Sequence, residues 1–200
     1  MQYIESPNVR GLEAEAYQQS GYFTAKQARA CGVSRQLVDH YVRSGRFERL
    51  RRGLYRIEGF PTAEHDEMRQ AWMAISGDDA LLSHESALAL LDLSDNIPDA
   101  VHILVPRRRH SLRTPPGVTL HTHADHEQIP TVWRDGLPLT APPRTLADVA
   151  GRIQPEQLTM AVREALRRGL LTTGQLREEA EQRRDKTQLL DAILNIEAPA

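Results

Sequence analysis

Two hundred residues accommodate one ordinary domain, or a small one of about 60 residues joined to a larger one. The composition, 40% hydrophobic and 26% charged, is that of a globular chain. No apolar run approaches the roughly 20 residues needed to cross a bilayer, and the start, MQYIESPNVR, lacks the basic end and apolar core of a signal peptide, so a soluble cytoplasmic chain without membrane contact is expected. The single cysteine, Cys31, excludes an internal disulfide and reads as a small buried apolar side chain.

The net charge of −2 hides a division. Residues 1–60 hold ten Arg or Lys against six Asp or Glu, and residues 61–200 hold fifteen against twenty-one. Between Ser20 and Ile57 nine basic residues (Lys26, Arg29, Arg35, Arg43, Arg46, Arg49, Arg51, Arg52, Arg56) face only Asp39 and Glu48. A basic module on an acidic body points to a polyanionic partner for the module.

A first helix is predicted from about Val9 to Gln19, with Leu12, Ala16 and Tyr17 as its apolar side and Gly21 as its stop. Thr24 with Gln27 forms a capping-box pattern for a second, short helix that Gly32 ends. Ser34 caps a third, running to Ser44 and stopped by Gly45. Two short helices separated by Cys31, Gly32 and Val33 have helix-turn-helix spacing. At about 100° per residue, Leu37, Val38, Tyr41 and Val42 form one buried stripe of the third helix, while Arg35, Gln36, Asp39, His40 and Arg43 lie opposite. Arg and Gln on that exposed face are suited to guanine and adenine edges in a major groove. From Phe47 to Ile57 the alternation predicts a hairpin with Leu50 and Leu54 inward, Gly53 at positive φ, and Arg51 and Arg52 at the tip between Arg49 and Arg56. A basic hairpin directly after such a helix is a wing that lies on the phosphate backbone.

After residues 59–61 the composition turns acidic, and a second domain is expected over 61–200. Helices are predicted over Ala63–Ile75 (with Met68, Ala71, Trp72 and Ile75 apolar) and from the Ser83 cap to Leu91, then strands over 101–105, 117–123 and 136–140. ThrLeuAlaAspValAla at 145–150 opens a helical end, with further helices at about 156–168, 173–181 and 187–196. The fold class is α+β: an N-terminal winged helix-turn-helix over 1–60, then a mixed α/β domain with a C-terminal helical tail.

Three patterns in this second region invite chemistry. His121, His123 and His126, with Asp125 and Glu127 beside them, offer ligands for a divalent metal and hence a metal-dependent hydrolase, although an exposed histidine-rich strand end is the commoner explanation. Ser83, His84, Glu85 and Ser86 are the residue types of a triad, but neighbours on a helix point in different directions. Arg107, Arg108, Arg109 and His110, with Arg113, form a basic loop able to touch phosphate. There is no phosphate-binding glycine loop, HisGluXaaXaaHis or GlyXaaSerXaaGly sequence, and no enzyme, metal or cofactor is expected. Apart from any family, the alternative is a winged-helix regulator whose acidic body senses a ligand.

Four segments in order, GYFTAKQARACGVS (21–34), GRFERLRRGLYR (45–56), LSHESALALL (82–91) and GLPLTAPPRTLADVA (136–150), together resemble the AbiEi family of abortive-infection antitoxins over roughly Ser20 to Gly174. The resemblance implies a winged helix that represses its own operon by binding double-stranded operator DNA. It also implies a C-terminal domain that counters a nucleotidyltransferase toxin, a genetic partner more than a stably bound one. By position, Arg35, Gln36, His40 and Arg43, with Ser34 at their helix start, would contact DNA from the recognition helix, and Arg49, Arg51, Arg52 and Arg56 from the wing. His84, Arg107, Arg108, Arg109, Arg144 and Asp148 mark the antitoxin domain. Arg144 and Asp148, one helical turn apart, also suit a plain structural pair.

Overall fold

The computed structural model of the chain describes residues 7–75, 79–95, 98–183 and 187–197. It is a mixed α+β structure that divides into two compact units, Met1–Gly77 and Asp78–Ala200.

The first unit begins with α1 (Val9–Gln18), capped by the Asn8 side chain, then β1 (Tyr22–Thr24), α2 (Ala25–Ala30) and α3 (Arg35–Arg43). The hairpin β2 (Phe47–Arg51) and β3 (Leu54–Ile57) follows, and α4 (Asp66–Ile75) closes the unit. The expected capping box at Thr24 and Gln27 is present, and the Ser34 hydroxyl accepts from the Leu37 N–H, so each short helix is started by a local side chain. The strands form an antiparallel sheet in the order β1-β3-β2. The sequence pattern had only the hairpin; β1 is three residues long and exists by pairing Tyr22, Phe23 and Thr24 with Arg56, Tyr55 and Leu54.

Apolar residues cover both faces of that sheet. Phe23, Phe47 and Tyr55 meet Leu12, Ala16, Ala28, Val33 and Val38 from the three helices, with Phe23 edge-on to Phe47 at 4.8 Å and stacked on Tyr55 at 5.4 Å. Leu37, Tyr41 and Val42 complete the predicted α3 stripe at the margin of this core. Tyr22 and Leu54 lie opposite, against Met73 and Trp72. Both α4 residues in that contact belong to a helix that the sequence reading set beyond a boundary at 60. Tyr17 remains 62% exposed, its ring edge-to-face with Phe60 at 5.3 Å.

The second unit holds β4 (Leu81–Leu82), α5 (His84–Leu90), β5 (Val101–Pro106), β6 (Val118–His123), β7 (Thr131–Arg134) and β8 (Leu137–Thr140). Four helices follow: α6 (Pro142–Val149), α7 (Pro155–Arg167), α8 (Thr173–Glu181) and α9 (Thr187–Glu197). The sheet order is β6-β5-β4-β8-β7, with β5/β6 and β4/β8 parallel and the other two pairs antiparallel. Every residue of β5 is buried, as a central strand requires, and this includes His102. The predicted strands and helices are found, whereas β4 and β7 are too short to carry a pattern and are made by their neighbours.

Candidate nucleic-acid interface

The basic residues of the first unit are placed by two local devices. The Ser34 cap fixes the start of α3 directly behind the turn at Gly32, whose φ is 70°. In the hairpin, Gly53 takes φ 79° and its carbonyl accepts from the Ala25 N–H at 2.9 Å, which ties the tip to the start of α2. Together they form a groove of about 320 Å³ between α2, the first turn of α3 and the hairpin. Arg29, Arg35, Arg49 and Arg52 all line it, beside Ser34 and Tyr55, and no carboxylate does. Arg35 approaches Asp39 only to 3.9 Å and leaves 82% of its side chain exposed. Four arginines from three elements give this concave lining a strongly positive character.

Gln36, His40 and Arg43 are exposed on α3, away from its buried stripe. Arg52 is exposed at the tip; Arg51 is half-buried, and its Nη1 is enclosed without a hydrogen-bond partner among the described residues. Arg56 is held elsewhere. Its Nη2 donates to the Pro61 carbonyl at 2.8 Å and to Asp66 Oδ2 at 3.1 Å, and its guanidinium lies 4.8 Å above the Tyr22 ring. With 13% of its side chain exposed, Arg56 clamps α4 to the sheet, so the strand alternation that put it on the wing misses the tertiary partner that claims it. Arg29 is the converse case: it sits in the last turn of α2 and only the folded groove shows its place beside Arg35. Cys31 packs partly buried against the core, and burial, with the nearby Glu15 carboxylate, raises its thiol pKa.

In the second unit the marked residues separate into different environments. Arg107 is exposed on a one-turn 3-10 helix after β5, while Arg108 and Arg109 both donate to Asp79, the former at 2.7 Å. Arg144 donates from Nε to both oxygens of Asp148 at 3.0 and 3.1 Å, and Arg183 bonds the same carboxylate and the Ala147 carbonyl. Glu179 of α8 lies 3.7 Å from both arginines, so the ArgThrLeuAlaAsp segment anchors α6 to α8. His121, His123 and His126 do not converge. The His123 ring accepts from the Asp125 N–H, His126 is buried on the turn after β6, and His121 stacks instead on His84. The Ser83 hydroxyl lies 3.0 Å from His84 Nδ1, and Glu85 approaches His102, so the adjacent triad types do not line up as a triad.

Residues 12–57 match the model of the family described as transcriptional regulator, AbiEi antitoxin, a stretch that runs from within α1 to the end of β3 and includes the whole arginine groove. No curated protein compared matches the chain. Among solved structures, the RV2827C protein from Mycobacterium tuberculosis is similar at 18% identity and a TM-score of 0.55, covering 92% of this chain and 76% of that one, a likeness of fold. No helix among the described residues is long and apolar enough to cross a membrane.

Proposed function

We propose, from the premise that residues 12–57 are a segment of the AbiEi regulator family, that the first unit is a winged helix-turn-helix that binds operator DNA. In this reading α3 enters the major groove, with Gln36, His40 and Arg43 toward base edges, and the β2–β3 hairpin is the wing. The observation that carries it is the groove whose four arginines, from α2, α3 and the hairpin, are left facing outward without a carboxylate in its lining. Arg29, Arg35, Arg49 and Arg52 hold phosphates, which sets orientation and affinity; α3 supplies the sequence preference. Arg56 has no part in this contact, because Asp66 and Pro61 take its donors.

The second unit is the antitoxin body of a cytoplasmic autorepressor, and the chain counteracts a nucleotidyltransferase toxin encoded beside it. Support comes from the family's description as an antitoxin, which is not an enzyme family, and from the LSHESALALL and GLPLTAPPRTLADVA segments in family order behind the matched module. The test is a gel shift on the chain's own upstream DNA for wild type and Arg49→Ala/Arg52→Ala, paired with growth rescue of cells expressing the neighbouring gene. Wild type is expected to shift the DNA and rescue growth, and the double variant to bind far more weakly. Equal binding by both proteins removes the wing; failure of rescue removes the antitoxin reading and leaves the DNA reading standing.

A further inference from the structure

Three histidines far apart in sequence meet at one point of the second unit. His84 opens α5 at φ 51°, a left-handed conformation that costs a non-glycine residue about 1–3 kcal/mol and persists where surroundings enforce it. Its ring stacks on His121 with centroids 3.6 Å apart. His121 Nε2 lies 2.9 Å from His102 Nδ1, because the parallel register pairs Leu104 with His121 and Thr119 with His102, which puts both histidines on one sheet face. The Ser86 hydroxyl accepts from the His102 N–H at 2.8 Å and fixes α5 against the same strand. One ring nitrogen from each histidine falls within 4.8 Å of the other two.

A carboxylate completes the group. Glu85 Oε2 lies 3.3 Å from His102 Nδ1 yet is buried without a hydrogen-bond partner, while Oε1 accepts from Arg152 Nε at 2.9 Å. Glu85 Oε2 thus faces the ring nitrogens with no donor of its own among the described residues, while Oε1 is already taken by Arg152.

The structure assigns to His84, His102 and His121 a binding site for one divalent transition-metal ion, Zn²⁺ by its donor set, with the Glu85 carboxylate beside it. Imidazole nitrogens suit Zn²⁺, and Zn–N bonds of about 2.0–2.1 Å in tetrahedral geometry set the nitrogens roughly 3.3 Å apart, so the His102–His121 pair opens slightly from 2.9 Å on binding. Glu85, steadied by Arg152, supplies the compensating charge and takes either the fourth position or the orienting role of a carboxylate behind a ligating histidine. The ion pins α5 to β5 and β6. His123 and His126, conspicuous in the sequence, stand outside the site. This assignment is independent of the DNA reading.

The test uses the full chain without a histidine tag. Wild type is titrated with ZnCl₂ by calorimetry and with CoCl₂ by visible absorption, and thermal melting is followed with and without chelator. One equivalent of metal, a tetrahedral Co²⁺ spectrum and a Tm that falls on chelation are expected. His121→Ala and His84→Ala should abolish stoichiometric uptake, Glu85→Gln should weaken it about 10–100-fold, and His123→Ala and His126→Ala should leave it intact. Wild-type protein that takes up no stoichiometric Zn²⁺ or Co²⁺ overturns the proposal whatever the variants do. So does loss of uptake in His123→Ala equal to that in His121→Ala.

Discussion

Four arginines line the groove of the first unit with no carboxylate among the described residues nearer than the 3.9 Å between Arg35 and Asp39, whereas in the second unit Arg108, Arg134, Arg144, Arg152, Arg167 and Arg183 each reach a carboxylate within hydrogen-bond distance. The residue type is the same and its use is opposite. A paired guanidinium spends its donors inside the chain, neutralises a charge and fixes two elements. A cluster of outward guanidiniums repels itself and contributes nothing to folding, and a polyanion removes that repulsion on binding. Exposure and pairing therefore distinguish the two sets of arginines where abundance does not. The first unit has paired arginines of its own, since Arg56 holds Asp66 and Arg46 holds Glu13 at 2.8 Å.

The largest effect should come from breaking a paired site. Asp148 is 7% exposed and serves both Arg144 and Arg183, so Asp148→Ala removes the carboxylate hydrogen-bonded to two part-buried guanidiniums, leaving them only the more distant Glu179 carboxylate at 3.7 Å, and should lower unfolding free energy by about 3 kcal/mol in urea denaturation. Operator binding by the protein that remains folded should be unchanged; a variant as stable as wild type would break the contrast between the units. Next in size is Arg49→Ala/Arg52→Ala. For every guanidinium removed from a phosphate, the slope of log K against log salt should fall by about 0.9, while stability stays within about 0.5 kcal/mol because both side chains are exposed and lie in a lining without a carboxylate among the described residues. A smaller change is expected from Gln36→Ala, with affinities compared on operator variants. It should cost about 1–3 kcal/mol of discrimination at a single base pair and leave the salt slope alone, which separates the exposed face of α3 from the groove.

What was readable in the sequence was whatever short-range chemistry decides. Thr24 with Gln27, and Ser34 before Leu37, are caps whose partners lie within a turn, and the helix-turn-helix spacing followed from them. The α3 stripe was readable because 3.6-residue periodicity is local. The misses share a different cause. Strand β1 exists through its pairing with β3, and its three residues carry no period of their own. Arg56 looks like a wing residue until Asp66 is folded against it. The histidines show this most sharply: a dense run at 121, 123 and 126 drew attention, but the β5–β6 register and the start of α5 bring His102 and His84 to His121 instead. Proximity in sequence measures which side chains are near in the chain, and a parallel sheet pairs segments that are distant in it.

Ser34 offers the smallest change and the sharpest control on the meaning of the unpaired arginines. Its hydroxyl accepts from the Leu37 N–H at 3.2 Å, so Ser34→Ala removes the α3 cap and should cost about 1 kcal/mol, read as a modest drop in the denaturation midpoint. Ser34→Asp keeps an acceptor at the same position and favours the positive end of the helix, so the fold should hold or gain slightly. That carboxylate would stand in the groove among Arg29, Arg35, Arg49 and Arg52 and give them the kind of partner that Arg144 and Arg183 of the second unit already have. If the four are phosphate ligands, the alanine variant loses stability with little loss of operator affinity, and the aspartate variant keeps stability while its affinity falls. If they are only solvated surface charge, both variants bind as wild type does, and gel-shift titration of the pair beside their melting curves distinguishes the two cases.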